Sequence, residues 1–432
     1  MGKKKVLIVG GGAAGMMAAC GAAEAGHQVT LLEKNKRLGR KLALTGNGRC
    51  NVTNASDPES LLDHVVSNRN FLYSAFYGFS NEDMIRFLRE EGLETKEEDG
   101  CRIFPVTDRA SDVIRALEHR MKRAGVNVLL NRKAEQLITG PAESEDAPFQ
   151  SVCRGVALSG GESMKADVTI LAAGGLSYPA TGSDGQGMRM AEACGHSLRP
   201  PRPALTPFVI REHWGKELQG RVFQGVRMIV SDPDGKRLFG DTGDLLFTHF
   251  GISGPMVLSA SSYCTAFFSR SAAEGKAVPA PRELTVRLDF FPGQDARGLE
   301  RTLLEKAQSN GKKQLRTILE SMLPKALVPV IMEKSGTEAG VKAAELTRQT
   351  RLELIRCMKD LPLHVTGMKG FREAMVTQGG VRVSEVDPVT MASLKVKGLR
   401  FAGEILDLDA LTGGYNLQIA WSTGWAAGST ID

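Results

Sequence analysis

The seven cysteines of this 432-residue chain, at positions 20, 50, 101, 153, 194, 264 and 357, include no Cys-x-x-Cys and no other close pair. An odd count in a long chain argues against a disulfide framework and for a reducing cytosol, and the missing pair argues against a dithiol reductase. Cys50 is read as a small packing residue rather than a redox thiol. Long apolar runs are missing too: none reaches the roughly 18 residues of a membrane span. The first apolar run is a strand of about five residues that ends in glycines, which is no signal peptide. A soluble, cytoplasmic protein is expected, with no membrane partner. Charge of one sign is also scarce. There is no block of five like charges, and 55 Lys and Arg stand against 49 Asp and Glu, a net charge of +6. That balance reads as a mildly basic solvated surface, so no nucleic-acid partner is expected. No metal site and no internal repeat is read, and the oligomeric state is left open.

What the chain has in excess is glycine. The 48 glycines make up about 11% of the residues against a usual ~7%. They cluster in the N-terminal turn and in residues 39–48, 174–187 and 403–428, which suggests backbone-lined ligand loops. The length implies two or three domains, since single cores stop growing near roughly 250–300 residues.

Residues 4–34 read as a βαβ unit. The strand Val6–Val9 runs into Gly10-x-Gly12-x-x-Gly15, a turn that lets backbone approach a diphosphate, and the helix over about 13–25, opening with Ala13 and Ala14, aims its positive end there. Gly26 caps the helix, and the second strand ends at Glu33, 18 residues after Gly15. That is close to the roughly 20 expected of an acid accepting ribose hydroxyls. The turn alone leaves NAD and FAD open.

A basic, glycine-rich loop follows, from Lys34 through Gly39, Arg40, Lys41, Thr45, Gly46, Asn47, Gly48 and Cys50 to Asn51. Its cations fall where adenosine and diphosphate should lie, and Gly46-Asn47-Gly48 is backbone suited to lying against a ring or phosphate. Near the other end, residues 400–417 give a buried strand, a turn through Gly403, Glu404 and Asp407, and then Gly413, Gly414, Tyr415, Asn416 and Leu417 entering the last helix. Asp407 is placed to accept from a ribityl hydroxyl. The helix N-terminus, aimed at the negative N1–O2 edge of a reduced flavin, raises its potential. Trp421 and Trp425 read as core packing. A nicotinamide site needs no such second element; a flavin stretched across a domain does. The two ends together point to FAD, and no second Gly-x-Gly-x-x-Gly is present.

Between the ends, 60–92 and 107–124 read as amphipathic helices, and 126–138, 152–158 and 165–171 as strands, with a polar turn at 140–150. Val168–Gly175 is a buried strand running through Ala173 and Gly174 into a glycine turn, followed by a short helix over 185–195. The character changes at Pro200-Pro201-Arg-Pro203: β patterning runs to about 290, helical spacing over 294–360, and strand character again over 362–402. The economical fold is a Rossmann-type domain built from both chain ends and interrupted by a β-rich insert with a helical piece.

The strings Leu44-Thr-Gly-Asn-Gly-Arg-Cys-Asn51, Tyr178-Pro-Ala-Thr-Gly-Ser-Asp-Gly185, Phe247-Thr-His-Phe-Gly-Ile-Ser-Gly-Pro255, Thr377-Gln-Gly-Gly-Val381 and Phe401-Ala-Gly-Glu with Thr-Gly-Gly-Tyr-Asn416 resemble the BaiN/YhiN-like bacterial flavoproteins, NAD(P)/FAD-dependent oxidoreductases also described as the aminoacetone-oxidase family of FAD-binding enzymes. The likeness runs nearly end to end. It implies an α/β fold: a glutathione-reductase-type FAD domain from residues 1–197 and 371–432, an inserted β-barrel from 198–292 and 346–370, and a helical subdomain over 293–345. It also implies FAD contacts at Gly10–Gly15, Glu33, Arg40 and Lys41, at the backbone of Ala134 (often valine in the family), and at Asp407 and Gly414–Gln418.

The resemblance carries two activities that both begin with hydride exchange at flavin N5. One is NAD(P)H-fed reduction of a conjugated enone in an apolar substrate such as a 3-oxo bile acid or steroid, with the nicotinamide docking transiently. The other is oxidation of a small amine such as aminoacetone with release of peroxide. A non-enzymatic FAD-binding or RNA-associated flavoprotein is the third alternative. Among ionisable residues in or near the family-like strings (Tyr178, His249, His364, Arg382), His249 and then Tyr178 are the candidates for the catalytic proton donor.

Overall fold

The computed structural model of the chain describes residues 2–141, 149, 151–273 and 283–432. Most of the polar turn read at 140–150 lies outside them. The chain divides into two compact units, Met1–Ala204 with Phe371–Asp432, and Leu205–Gly370.

The first unit is organised by a five-stranded parallel sheet in the order 399–401, 168–171, 5–9, 28–33, 127–130. Its central strand, Lys-Val-Leu-Ile-Val, is buried from Val6 to Val9, the continuous apolar run expected of a parallel strand covered on both faces. Ile8 sits opposite Ile170 on one side and Leu31 on the other. The opening helix Ala13–Glu24 and the closing helix Tyr415–Ser429 pack backbone to backbone. A Cβ on Gly424 would fall 2.4 Å from the Ala14 carbonyl oxygen, and one on Gly428 2.2 Å from that of Ala18. The chain ends meet because these positions carry no side chain. At the far end of the closing helix, Arg400 is buried and donates to the carbonyls of Ala427 and Thr430, satisfying helix-end acceptors with a cation.

Several local readings need correction. The stretch 60–92 is not one helix. It breaks into Pro58–Asp63, Arg69–Leu72, Tyr73–Gly78 and Asn81–Glu90, because Asn68 takes a left-handed turn and Ser80 opens a new helix with a capping box to Asp83. A three-stranded antiparallel sheet of 53–54, 102–105 and 95–98 was not read, since Thr-Lys-Glu-Glu has no apolar alternation. Residues 198–204, assigned on sequence to the barrel, pair antiparallel with 376–381 inside the first unit. Their prolines sit on a two-stranded edge, where a missing N–H is tolerated.

The second unit is a closed barrel of six strands, 208–210, 251–253, 237–247, 222–231, 284–289 and 361–368 in order around it. Inward positions such as Phe208, Phe223, Met228, Val230, Phe247 and Leu288 form its core. Helices Ala296–Ser309, Leu315–Glu320 and Val328–Lys334 make the helical piece. A further helix, Arg348–Lys359, occupies the first part of the range assigned to returning barrel residues, 346–370. Helix Pro255–Ala273 escaped the sequence reading because its apolar residues mark no single face. Among the described residues no helix is long and apolar enough to cross a membrane.

Candidate functional site

The site is built on the carboxyl end of the central strand Lys5–Val9, where the sheet continues to 168–171 on one side and to 28–33 on the other. Crevices at such switch points are where open α/β sheets bind ligands. A Cβ on Gly15 would lie 1.8 Å from the Gly10 carbonyl oxygen, and one on Gly10 2.5 Å from that of Ala172. Those two glycines serve the packing of turn, helix and strand. Gly12 differs: a Cβ there would meet nothing within 4 Å. The opening helix has no side-chain cap and no acid in its first turn. Its first amides, from Gly12, Ala13 and Ala14, therefore border open space with the positive end of the dipole behind them. This cradle fits a dinucleotide diphosphate.

Glu33 is buried at the end of the second strand. One carboxylate oxygen accepts from the Gly11 amide at 2.8 Å and the other from the Asn35 amide and side chain at 2.8 and 2.7 Å. The carboxylate is thus fixed against the glycine turn, where a ribose would arrive. Ala134 follows directly on this corner: Arg132 N–H donates to the Glu33 carbonyl, and Ala134 starts the strand Ala134–Pro141.

The basic loop is less free than its composition suggests. Lys34 pairs with Asp184 at 2.9 Å, Arg40 donates to the Asn35 side chain at 2.6 Å, and Arg49 is held by Glu98 and Asp108 over the Phe104 ring. Gly39 lies under Ile114 in a left-handed turn. Thr45 donates to the Leu42 carbonyl, and Gly46, Asn47 and Gly48 follow with φ of 56, 57 and 86°. Cys50 is fully buried and its thiol is pushed up to about 12 by desolvation, so it is a packing residue. Asn51, with its amide turned to suit its neighbours, accepts from the Gly414 amide at 3.1 Å.

Lys41 reaches across the fold. Its Nζ is 2.5 Å from both Ser177 Oγ and Glu404 Oε2. Glu404 Oε1 accepts from Ser177 Oγ and from the Thr377 amide, each at 2.7 Å. This four-residue constellation joins the basic loop, the Ala173–Gly174 turn, the Thr-Gln-Gly-Gly strand and the Gly403 turn. Gly403 abuts the opening helix, since a Cβ on it would lie 2.7 Å from that of Ala14. Ser177 and Thr377 were not among the residues picked from sequence. Serine and threonine carry no pattern of their own, and their partners lie 227 and 27 residues away.

At the closing helix the side chains mostly serve the protein. Asn416 is spent on the backbone of Ala410 and Leu411. Gln418 is buried between Thr53, Phe79 and Ser422. Tyr415 stacks on His64 with centroids 4.3 Å apart. The Gly414 amide is taken by Asn51 and the Gln418 amide donates to the Gly414 carbonyl, so any flavin contact here is left to the amides of Tyr415, Asn416 and Leu417 and to the Leu417 side chain. That suits the N-terminus of this helix, which has neither side-chain cap nor acid in its first turn. Trp421 donates to the Val52 carbonyl and Trp425 stacks on Phe79, both in packing roles.

Asp407 is buried at 4% exposure; Oδ2 accepts from Asn68 at 3.0 Å, and Oδ1 has no partner among the described residues. Desolvation pushes its carboxyl above the usual range, against a lowering by Arg199. Asp409 beside it is pushed up to about 6 by burial, with Asp407 adding to the rise. Tyr178 is half-buried in a left-handed turn; burial and then Glu373 push its phenol above the usual range. His249 belongs to the second unit, exposed at the tip between strands 237–247 and 251–253, edge-on to Phe250. His364 has its Nδ1 2.6 Å from Glu212 on the barrel.

Residues 4–430 match the HI0933-like protein Rossmann domain family. The chain belongs to this family. Its full-length relatives include the 3-dehydro-bile acid delta(4,6)-reductase of Clostridium scindens, 33% identical over 98% of each chain. They also include the ribosomal RNA dihydrouridine synthases of Haemophilus influenzae, 32% identical over 98% of each chain, and of Escherichia coli, 31% identical over 98% of this chain and 97% of that one. Among solved structures, the 3-ketosteroid delta1-dehydrogenase of Sterolibacterium denitrificans superposes with a TM-score of 0.52 at 14% identity, covering 99% of each chain. That likeness establishes the fold. This HI0933-like protein is an FAD-dependent oxidoreductase with a Rossmann-type FAD domain.

Proposed function

We propose that this protein is an NAD(P)H-fed reductase of a carbon–carbon double bond conjugated to a carbonyl, acting on an apolar enone such as a 3-oxo bile acid or steroid. The observation that carries the reading is the end-to-end 33% identity to a 3-dehydro-bile acid delta(4,6)-reductase. Bound FAD supplies hydride exchange through its N5. The residues of the chain hold and tune. The opening helix and its amides would take the diphosphate, Glu33 the ribose hydroxyls, and Asp407 a ribityl hydroxyl. The closing helix, uncapped and without an acid in its first turn, would turn its positive end to the ring and so favour the reduced anion. Tyr178, a phenol in the family-like strings of the first unit whose pKa burial raises, is the first proton donor to test, with His249 as its rival.

A second reading, reduction of a uridine in ribosomal RNA, is favoured by the two dihydrouridine synthase relatives. It is also favoured by the second unit, where 24 Lys and Arg face 18 Asp and Glu. The two readings share chemistry, because the 5,6 double bond of uracil is itself conjugated to a carbonyl. Purified protein reduced by NADH or NADPH in a stopped-flow cell separates them. Rapid reoxidation by a 3-oxo-Δ4 bile acid and none by a ribosomal RNA transcript is expected. The reverse pattern replaces the first reading with the second. Peroxide formed with an amine, and no response to either acceptor, sinks both.

A further inference from the structure

Three segments of the first unit converge away from the glycine turn. Strand 198–204 pairs with strand 376–381, bringing Arg199 opposite Gly380 and Arg202 opposite Gln378. Arg382 follows at the strand end, its amide donating to the Ser197 carbonyl, and Asp407 N–H donates to the Val381 carbonyl. Together with Asn68 these residues line a cavity of about 300 Å³ that shares Asp407 with the expected FAD contacts but is not lined by Gly10–Gly15, Glu33 or Lys41.

The charges in this cavity do not balance. Arg199 is 3.9 Å from Asp407 Oδ2, and among the described residues neither Arg202 nor Arg382 has a carboxylate within ion-pair distance. The basic loop differs, for Lys34, Lys41 and Arg49 there are each paired. Three arginines thus line the cavity with a single carboxylate, that of buried Asp407, which only Arg199 approaches. Asn68 is held in a left-handed turn by donating to both the carbonyl and Oδ2 of Asp407, so the floor of the cavity is fixed before any ligand arrives. Guanidinium forks match carboxylate and phosphate oxygens.

We propose that this cavity is a substrate-anchoring subsite that takes an oxyanion, a carboxylate or a phosphate, between Arg199, Arg202 and Arg382. The subsite deepens the enone reading and rests on it only for the carrier of the anion: a bile acid bears a carboxylate on its side chain, remote from the 3-oxo ring.

The test titrates the FAD-loaded enzyme at low salt with cholate, which has no enone to reduce, with inorganic phosphate, and with the neutral C24 alcohol of cholate. Calorimetry is the readout. Saturable binding of cholate or phosphate is expected, weakened about tenfold or more in Arg202→Ala and in Arg382→Ala, with flavin content unchanged. The alcohol binds equally to all three proteins. Cholate binding identifies a small carboxylic acid as carrier, and phosphate binding alone identifies a phosphorylated one; both outcomes support the subsite. Absence of saturable binding by either anion, or full binding by both variants, overturns it. Turnover of a neutral 3-oxo-Δ4 steroid, measured in parallel, tests the enone reading by itself. A protein that binds the anion through these arginines yet reduces no enone loses that reading and keeps the subsite.

Discussion

The two units treat charge in opposite ways. The first buries Glu33, Arg400, Asp407 and Asp409, while its sequence as a whole is neutral, with 31 Lys and Arg against 31 Asp and Glu. The second, among the described residues, buries hydroxyls such as Ser261 and Thr265 but no charged side chain, and it carries the entire excess of six positive charges. An ion taken out of water costs several kcal/mol unless it is paired, so charges are kept inside where a ligand or a helix end needs them. Glu33 stands at the glycine turn, Arg400 at the end of the closing helix, and Asp407 at the arginine cavity. The core of the barrel is apolar, and its ion pairs, such as Lys359 with Asp289 and His364 with Glu212, sit half-buried at its margin. If the glycine turn holds the cofactor, the buried charges of the first unit stand beside its chemistry.

The largest effect that probes this division comes from paired glycine substitutions. Gly15→Ala drives a methyl group into the Gly10 carbonyl at 1.8 Å and is expected to leave no folded flavoprotein. Gly12→Ala places the same methyl group in open space. The apoprotein should then melt as the wild type does, while FAD affinity falls by about tenfold or more, since the backbone no longer reaches the diphosphate. Flavin-to-protein absorbance and thermal melting read both quantities. Wild-type flavin retention in Gly12→Ala breaks the cradle and, with it, the assignment of cofactor chemistry to this turn.

The next largest effect compares the units directly. Tyr178→Phe removes a phenol from the first unit, and His249→Asn removes an exposed imidazole from the second. If the proton comes from the cofactor-holding unit, the first variant lowers kcat for enone reduction by about 100-fold and the second changes it less than about threefold. Steady-state kinetics with each variant decides. A large loss only in His249→Asn moves proton delivery to the barrel and reverses the comparison.

How far these features are legible in sequence follows the same line. The parallel sheet, the opening helix and Glu33 were readable because a strand, a glycine turn and an acid at fixed spacing lie within 30 contiguous residues, 4–33. The β-then-helix character of the insert was readable from apolar period alone. The Lys41–Ser177–Glu404–Thr377 constellation was not, since its members come from four segments joined only by the fold. The same holds for the arginine cavity, in which Arg199 and Arg202 sat inside a proline-rich stretch read as a domain boundary. Asn416 and Gln418 were rightly placed at the head of the last helix. Only the structure shows their side chains turned to the protein, with the Gln418 main-chain amide bonded to the Gly414 carbonyl and the Asn416 main-chain amide left for a ligand.

The smallest expected effect concerns the cost of that buried charge. Asp409 is pushed from 3.8 up to about 6, chiefly by desolvation. Its raised carboxyl holds a proton in the folded state that the unfolded chain has released. The stability this contributes is complete below about pH 4 and is lost as pH rises through about 6. A shift of this size corresponds to about 2–3 kcal/mol of penalty at neutral pH. Asp409→Asn keeps an acceptor for the Gln378 amide and removes the charge. It should therefore stabilise the protein by about 1–2 kcal/mol at pH 8 in urea unfolding and by almost nothing at pH 4. The matched change in the second unit, Asp360→Asn, breaks an exposed pair with Arg287 and should cost under about 1 kcal/mol at either pH. Equal effects of the two substitutions at pH 8 would mean that Asp409 sits in a better-solvated place than its burial implies, and the contrast between a charged interior and an apolar one would rest on Glu33, Arg400 and Asp407 alone.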